Sequence, residues 1–426
     1  MRRRFLQTLR FTCPAAGLLL ACAEVAPTVQ TERPVPISTW AKAIDSLPGT
    51  YTLLASASEF WDSVLVTTDG REGLVWRSEL VAGTRELLGS KGNGPGEFLS
   101  AGVAVKVSHD SVALLNMQRT GFPVLHVATG RGRTHQVAGA APRAIGSQNF
   151  GAPVLTRADT LGHVYGAPLF AALVFDPRSG RRISRTLQRL ASIPIVRYSL
   201  RTLRTDTLYR FPRGVSETPT TRDADGTRRG GMELDRYGAY NDWLVTADGK
   251  LIVADASKYS LLVLDATGRD TTRRVLQLPT TPIPVSPTAW KAHVQQATRG
   301  SNALITGINA RVFSKIGKAP PAAPQIQFDV PPMPRELPPV SFRDGKRHMH
   351  ESGGVLWVPV NKKDGSAREY WDLVDLVLGT RLTTLELPEK QYLVTVTANG
   401  AYVLVSDEDD LQRLLLYRPT TMRPKP

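Results

Sequence analysis

Apolar residues in this chain come mostly in runs of four to eight, rich in β-branched and aromatic types and broken by Gly, Asp and Asn. Runs of that length and composition predict β-strands joined by tight turns. Residues 248–278, DGKLIVADASKYSLLVLDATGRDTTRRVLQL, set the cadence: a turn, an apolar run, a polar loop, a second apolar run, a Gly turn and a third strand. Residues 109–137, 61–89, 352–388 and 398–418 repeat it, and a looser copy spans 161–211 around a basic insertion. In LIVA, LLVL and VLWV every position is apolar, so these strands are expected to be covered on both faces by neighbouring sheets.

Successive copies lie 46 to 50 residues apart near the two ends of the chain, while insertions stretch the centre. A period of about 40–50 residues with about four strands per unit is the pattern of propeller blades. Six copies predict an all-β chain folded as a six-bladed β-propeller over residues 46–420, with 421–426 as a tail. The last copy stops near Arg418 with too few strands, and an unpaired sheet edge invites aggregation. TYTLLASAS, residues 50–58, is the segment expected to complete it.

Residues 286–339 depart from the β rhythm. Ser286-Pro287 reads as an N-cap followed by Pro at the first helical position, and eight prolines follow between Pro320 and Pro339. This predicts a short helical, Pro-rich insertion packed on one face of the ring. It either carries a blade-specific function or covers an exposed edge.

GSKGNGPGEF, residues 89–98, places four glycines and a lysine in ten positions. A phosphate cradle needs consecutive free N–H groups and a helix after them. Pro95 removes one N–H, no Gly-Lys-Ser/Thr order is present, and LSAGVAVKV alternates like a strand. The reading is a structural, blade-joining turn formed by Gly94, Pro95, Gly96, Glu97 and Phe98. Pro sets φ, Gly96 is free to adopt positive φ, and Phe98 re-enters the core.

With this turn the chain resembles the NHL-type and related six-bladed β-propellers, above all extracytoplasmic lipoproteins of uncharacterised function. The resemblance extends to GGVLWVPV, YWDLVDLVLGTRLTTLELP and the terminal DEDDLQRLLLYR, and runs loosely over residues 60–418. It implies the fold and the blade count. Propellers of this cadence serve as binding scaffolds, lyases, lactonases and pump accessories, so no activity follows from it.

The cysteines and charges bear on location. Both cysteines fall within the first 22 residues, so the body has no disulfide and no cysteine metal site. MRRRFLQTLRFTCPAAGLLLACAEVAPT joins three arginines to an apolar stretch too short for a permanent membrane span. Residues 1–22 are expected to be a signal peptide with a lipobox, Leu19-Leu20-Ala21-Cys22, and Cys22 is the expected lipid attachment site. An ordinary cut after Ala23 is the alternative, and Arg2 to Gln7 also resembles a twin-arginine export motif. Residues 23–45 then read as a tether. These features predict an exported lipoprotein, periplasmic or outer-membrane. The net charge of +15 is scattered, with no recognition helix or Arg/aromatic ladder, so a solvated basic face is expected and not a specific nucleic-acid site.

RHMHE, residues 347–351, is the most suggestive chemical cluster. Aligning the turns of two copies puts His348 and His350 at the level of Trp243 and Val245, on one face of an inner strand. Two such imidazoles can share an unknown divalent metal, with Glu351 assisting, or simply pack between sheets. The other histidines are isolated, and DEDD, residues 407–410, reads as an acidic hairpin tip. No nucleophile elbow, serine triad motif, HExxH or nucleotide fingerprint occurs. The leading expectation is a monomeric, membrane-tethered scaffold that binds protein, peptide or glycan, without cofactor. The alternative is a metal-assisted hydrolase or lyase at the channel mouth.

Overall fold

The computed structural model describes residues 33–44, 54–61, 63–70, 72–92, 97–98, 103–115, 121–136, 153–168, 174–175, 182–183, 192–212, 221–222, 228–231, 237–239, 241–265, 273–299, 327–330, 332–340, 342, 348–407 and 411–419. Among them, six sheets form the blades of a six-bladed β-propeller. Blades 1 and 2 span 54–90 and 103–136, blade 3 spans 153–212, blade 4 spans 242–277, blade 5 spans 350–387, and blade 6 combines 391–419 with 41–44. Each is an antiparallel meander, as in Asp242–Val245, Lys250–Asp255, Ser260–Asp265 and Arg273–Gln277 of blade 4.

Apolar clusters between the sheets establish the ring. One joins blades 1 and 2 through Phe60, Val75, Phe98 and Leu114. Others join blades 2 and 3 (Leu115, Tyr198), 3 and 4 (Ile195, Trp243), 4 and 5 (Ile252, Leu356), and 5 and 6 (Trp371, Val403). A further cluster, with Leu65, Tyr402 and Leu414, returns from blade 6 to blade 1 and completes the circle. Each sheet is thus buried on both faces, which is why its central strands carry apolar runs such as LIVA and VLWV.

Closure differs from the sequence expectation. Leu54–Phe60 is the inner strand of blade 1 and pairs with Val64–Asp69. The strand that completes blade 6 is Ala41–Ile44, antiparallel to Gln412–Pro419 with Ala41 opposite Pro419. The reason is packing: Ala57 and Phe60 each bury toward one neighbouring blade, a two-sided burial available only inside the ring. Val35–Pro36 adds a parallel fifth strand to blade 5 at Leu385 and Glu386, and Ile37–Trp40 makes one helical turn between these two edges. The propeller therefore begins at Val35, inside the stretch read as a tether.

The insertion after blade 4 contains the expected helix, over 287–299. The Ser286 hydroxyl accepts the Ala289 N–H at 3.4 Å, the N-cap arrangement its sequence implies. Val285, Trp290 and Leu337 bury the helix against Tyr237. Asp364, in the turn between the second and third strands of blade 5, accepts the Ser286 N–H at 2.7 Å and the Tyr237 hydroxyl at 3.1 Å. The insertion is thereby held at the end of the ring where those turns lie.

Candidate functional site

Innermost strands of a propeller line its central channel. Three successive ones here bring charged groups together: Arg157 from blade 3, Asp242 from blade 4, and His348 and His350 from blade 5. Asp242 opens its strand and points forward to the next blade. Its Oδ1 lies 3.3 Å from His348 Nδ1 and its Oδ2 accepts the Met349 N–H at 3.0 Å. Burial raises the cost of ionising this carboxyl, yet His348, Arg157 and the Met349 N–H outweigh it and hold Asp242 below the ordinary carboxylate range.

His350 has the opposite environment. Enclosure removes the water that would solvate an imidazolium, and the charges of Arg157 and His348 oppose protonation further. Asp242 offsets them only in part, so His350 is pushed down to about 3 and is neutral at physiological pH. Its ring lies 5.7 Å from that of Trp371. Burial also lowers Arg157, opposed by Asp242; a guanidinium stays charged in proteins.

The pairing registers place the two histidines one residue from the sequence alignment. His350 pairs with Trp357 and Leu244 with Ile252, so His348 matches Asp242 and His350 matches Leu244. The offset arises because blade 5 turns on two residues, Gly353-Gly354, where blade 4 uses three. Glu351 turns away from the histidines and accepts the Gly354 N–H at 2.8 Å. Among the described residues no three His, Cys, Asp or Glu side chains gather as a metal-ligand group. His348 engages Asp242, and among the described residues no third ligand joins the pair.

Sequence reading missed Arg157 and Asp242, whose only signal is a charge inside an otherwise apolar inner strand. It also missed Asp372. This fully buried carboxylate accepts the Tyr259 hydroxyl at 2.8 Å and the Thr384 hydroxyl at 2.5 Å, with Lys362 at 3.5 Å and Arg381 at 3.6 Å.

The glycine-rich loop is partly described. Gly92 donates its N–H to the Phe98 carbonyl at 3.0 Å, Lys91 and Phe98 form a bridge, and Phe98 is buried. A Cβ at Gly92 would meet the Glu97 carboxyl. Gly94, Pro95 and Gly96 lie outside the described residues, as does Cys22.

At the end of the ring that holds the insertion is a groove of about 340 Å³, lined by Tyr237, Ser257, Thr280, Pro282, Glu336 and Leu337 among others. Ser257 belongs to the turn between the second and third strands of blade 4, and Thr280 to Pro282 lead out of its last strand. The inner strands start at this end too, so Asp242 and His348 lie toward it.

No family model matches this chain, and no curated protein matches it. It is similar to solved propellers. A member of the DUF4221 family from Bacteroides vulgatus shares 10% identity, over 89% of this chain and 96% of that one, with a TM-score of 0.45. The calcium-binding protein regucalcin from Agrobacterium tumefaciens shares 12% identity over 92% and 98%, with a TM-score of 0.39. A luciferin-regenerating enzyme shares 10% over 88% and 94%, with a TM-score of 0.41. No activity passes from any of them to this chain. Among the described residues no helix is long and apolar enough to cross a membrane.

Proposed function

We propose that this chain is an exported, membrane-tethered binding module, acylated at Cys22, that takes a peptide or protein segment into the groove beside the insertion. The observation that carries the reading is the groove itself. It mixes an aromatic ring, prolines, hydroxyls and one carboxylate, Glu336, on a non-repeating element added to a repeating ring. Loops on a rigid scaffold are where binding residues concentrate. An apolar wall with a few polar anchors suits an extended segment, and Glu336 favours one carrying a basic side chain.

The charged groups of the channel support binding more than turnover. Asp242 is committed to His348 and to a backbone N–H, and neutral His350 packs beside Trp371. They hold blades 4 and 5 in register at the end where the groove lies.

Screening the purified protein against peptide and glycan arrays tests the proposal. Basic, Pro-containing peptides should be retained, and Glu336→Ala should lower their affinity about tenfold without altering the melting temperature. Absence of any peptide binding, or binding indifferent to Glu336, would exclude the groove. For the tether, Cys22→Ser should abolish acyl labelling in the expressing cell; continued labelling would overturn it.

A further inference from the structure

The hairpins between the third and fourth strands repeat one turn: ELVAG (79–83) in blade 1, HVATG (126–130) in blade 2, SLRTL (199–203) in blade 3 and DLVLG (375–379) in blade 5. In each, the fifth residue donates its N–H to the carbonyl of the first at 2.8–2.9 Å. The second residue, Leu80, Val127, Leu200 or Leu376, packs into the apolar cluster below. The fifth adopts positive φ, between 58° and 76°.

Turn tips facing water are normally polar, and these are not. Val81 is 84% exposed, Val377 76% and Leu378 65%. In blade 3 the left-handed position, glycine in the other three turns, is Leu203 with φ 58° and 49% exposure. A leucine there is strained, and Leu203 belongs to none of the apolar clusters that would compensate. Something other than the fold of the free chain favours these side chains.

Their arrangement identifies the partner. In an antiparallel meander, first-to-second and third-to-fourth turns all project from one end of the ring, opposite the groove. Blades 1, 3 and 5 are alternate members of the six, so their apolar tips stand around that end like the feet of a tripod. Leu161, 56% exposed on the first-to-second turn of blade 3, stands at the same end. Exposed Arg201 and Arg204 flank Leu203, and exposed Arg131 stands on the blade 2 turn, while the carboxylates of Asp110 and Asp248 at this end face His126 and Lys250. A protein interface buries a contiguous apolar core. Separate tips with basic neighbours suit a flat, deformable apolar phase with an anionic surface.

We propose that this end of the propeller rests on a phospholipid bilayer, inserting Val81, Leu203, Val377 and Leu378 below the headgroups. The contact does not require acylation at Cys22, and it leaves the groove directed away from the membrane.

Full-length Cys22→Ser protein is floated with vesicles of phosphatidylethanolamine and phosphatidylglycerol, beside the same protein carrying Val81→Asp, Leu203→Asp and Val377→Asp. Both share one N-terminus, so a difference belongs to the tips. The expected loss of partitioning is roughly tenfold per tip removed, with weaker flotation of the parent on phosphatidylcholine. Equal flotation of the two, or none by the parent, overturns the proposal. So does a dimer of the parent that the triple variant loses without any vesicle binding, which would assign the tips to a second copy. Where the triple variant fails to fold, a polarity-sensitive dye on Val377→Cys in a Cys13→Ser/Cys22→Ser chain decides. Its emission should shift to the blue with vesicles, and an unchanged spectrum refutes insertion.

Discussion

Tyr259 of blade 4 donates its hydroxyl to Asp372 of blade 5 at 2.8 Å, and both side chains are fully buried. The bond crosses the interface between two sheets, so it fixes their relative slide where apolar contact alone would not. Burial and the facing carboxylate together push the Tyr259 phenol well up, which keeps it a donor at any working pH.

Tyr259→Phe should therefore cost about 1–3 kcal/mol, because a buried acceptor loses one partner while the shape is kept. Asp372→Ala should cost more, about 3–5 kcal/mol, since Lys362 and Arg381 then face an empty site. Urea unfolding followed by tryptophan fluorescence measures both. Equal and negligible losses would mean the bond does not hold the blades.

Acid should act through His350. Its native value, about 3, lies below the ordinary 6.5, so between those limits the unfolded chain binds a proton that the native one does not. Stability is then complete above about pH 6.5 and falls as pH drops toward about 3, with a slope near 1.4 kcal/mol per pH unit. Asp242 adds a loss in the same direction only lower, through the carboxylate range. His350→Gln should reduce the slope between pH 6.5 and the carboxylate range, as read from urea midpoints across that interval, leaving the part owed to His135, which burial and Arg133 also push down.

Leu203 gives a prediction with two signs. Glycine at this left-handed position should raise stability by about 0.5–1 kcal/mol, the released strain exceeding the entropy added to the unfolded chain. The same Leu203→Gly change should weaken vesicle binding. A variant more stable and less membrane-active would separate the demands of folding from those of the tip.

The closing strand can be tested at Ala41, fully buried among Trp357, Leu385 and Tyr417. Ala41→Glu places a carboxylate there without a partner, and should lower stability by at least about 3 kcal/mol and promote aggregation on warming. Differential scanning calorimetry with light scattering reads both.

Fold class and blade number were legible because they rest on cadence: LIVA, VLWV and their counterparts are apolar on both faces only if sheets stack in a ring. The helix was legible from its Ser286-Pro287 start. The closing strand was not, since AKAI at 41–44 is short, is interrupted by Lys42, and pairs with residues remote in sequence. The register of His348 and His350 slipped by one because a turn's length cannot be counted from its glycines. The meeting of Arg157 and Asp242 was invisible for a related reason. They lie 85 positions apart and meet only through curvature around the channel.

The latch of blade 6 joins residues 41–44 to 412–419. Its two halves are widely separated in sequence, so the circle cannot be sealed until residues 412–419 have been made. A contact of such sequence separation is costly to form and slow to find. Until it forms, the margin of blade 6 stays open and adhesive. If the chain is exported as proposed, its route must either wait for sealing or deliver the molecule still unsealed, and the first of these demands a transporter able to pass a finished ring.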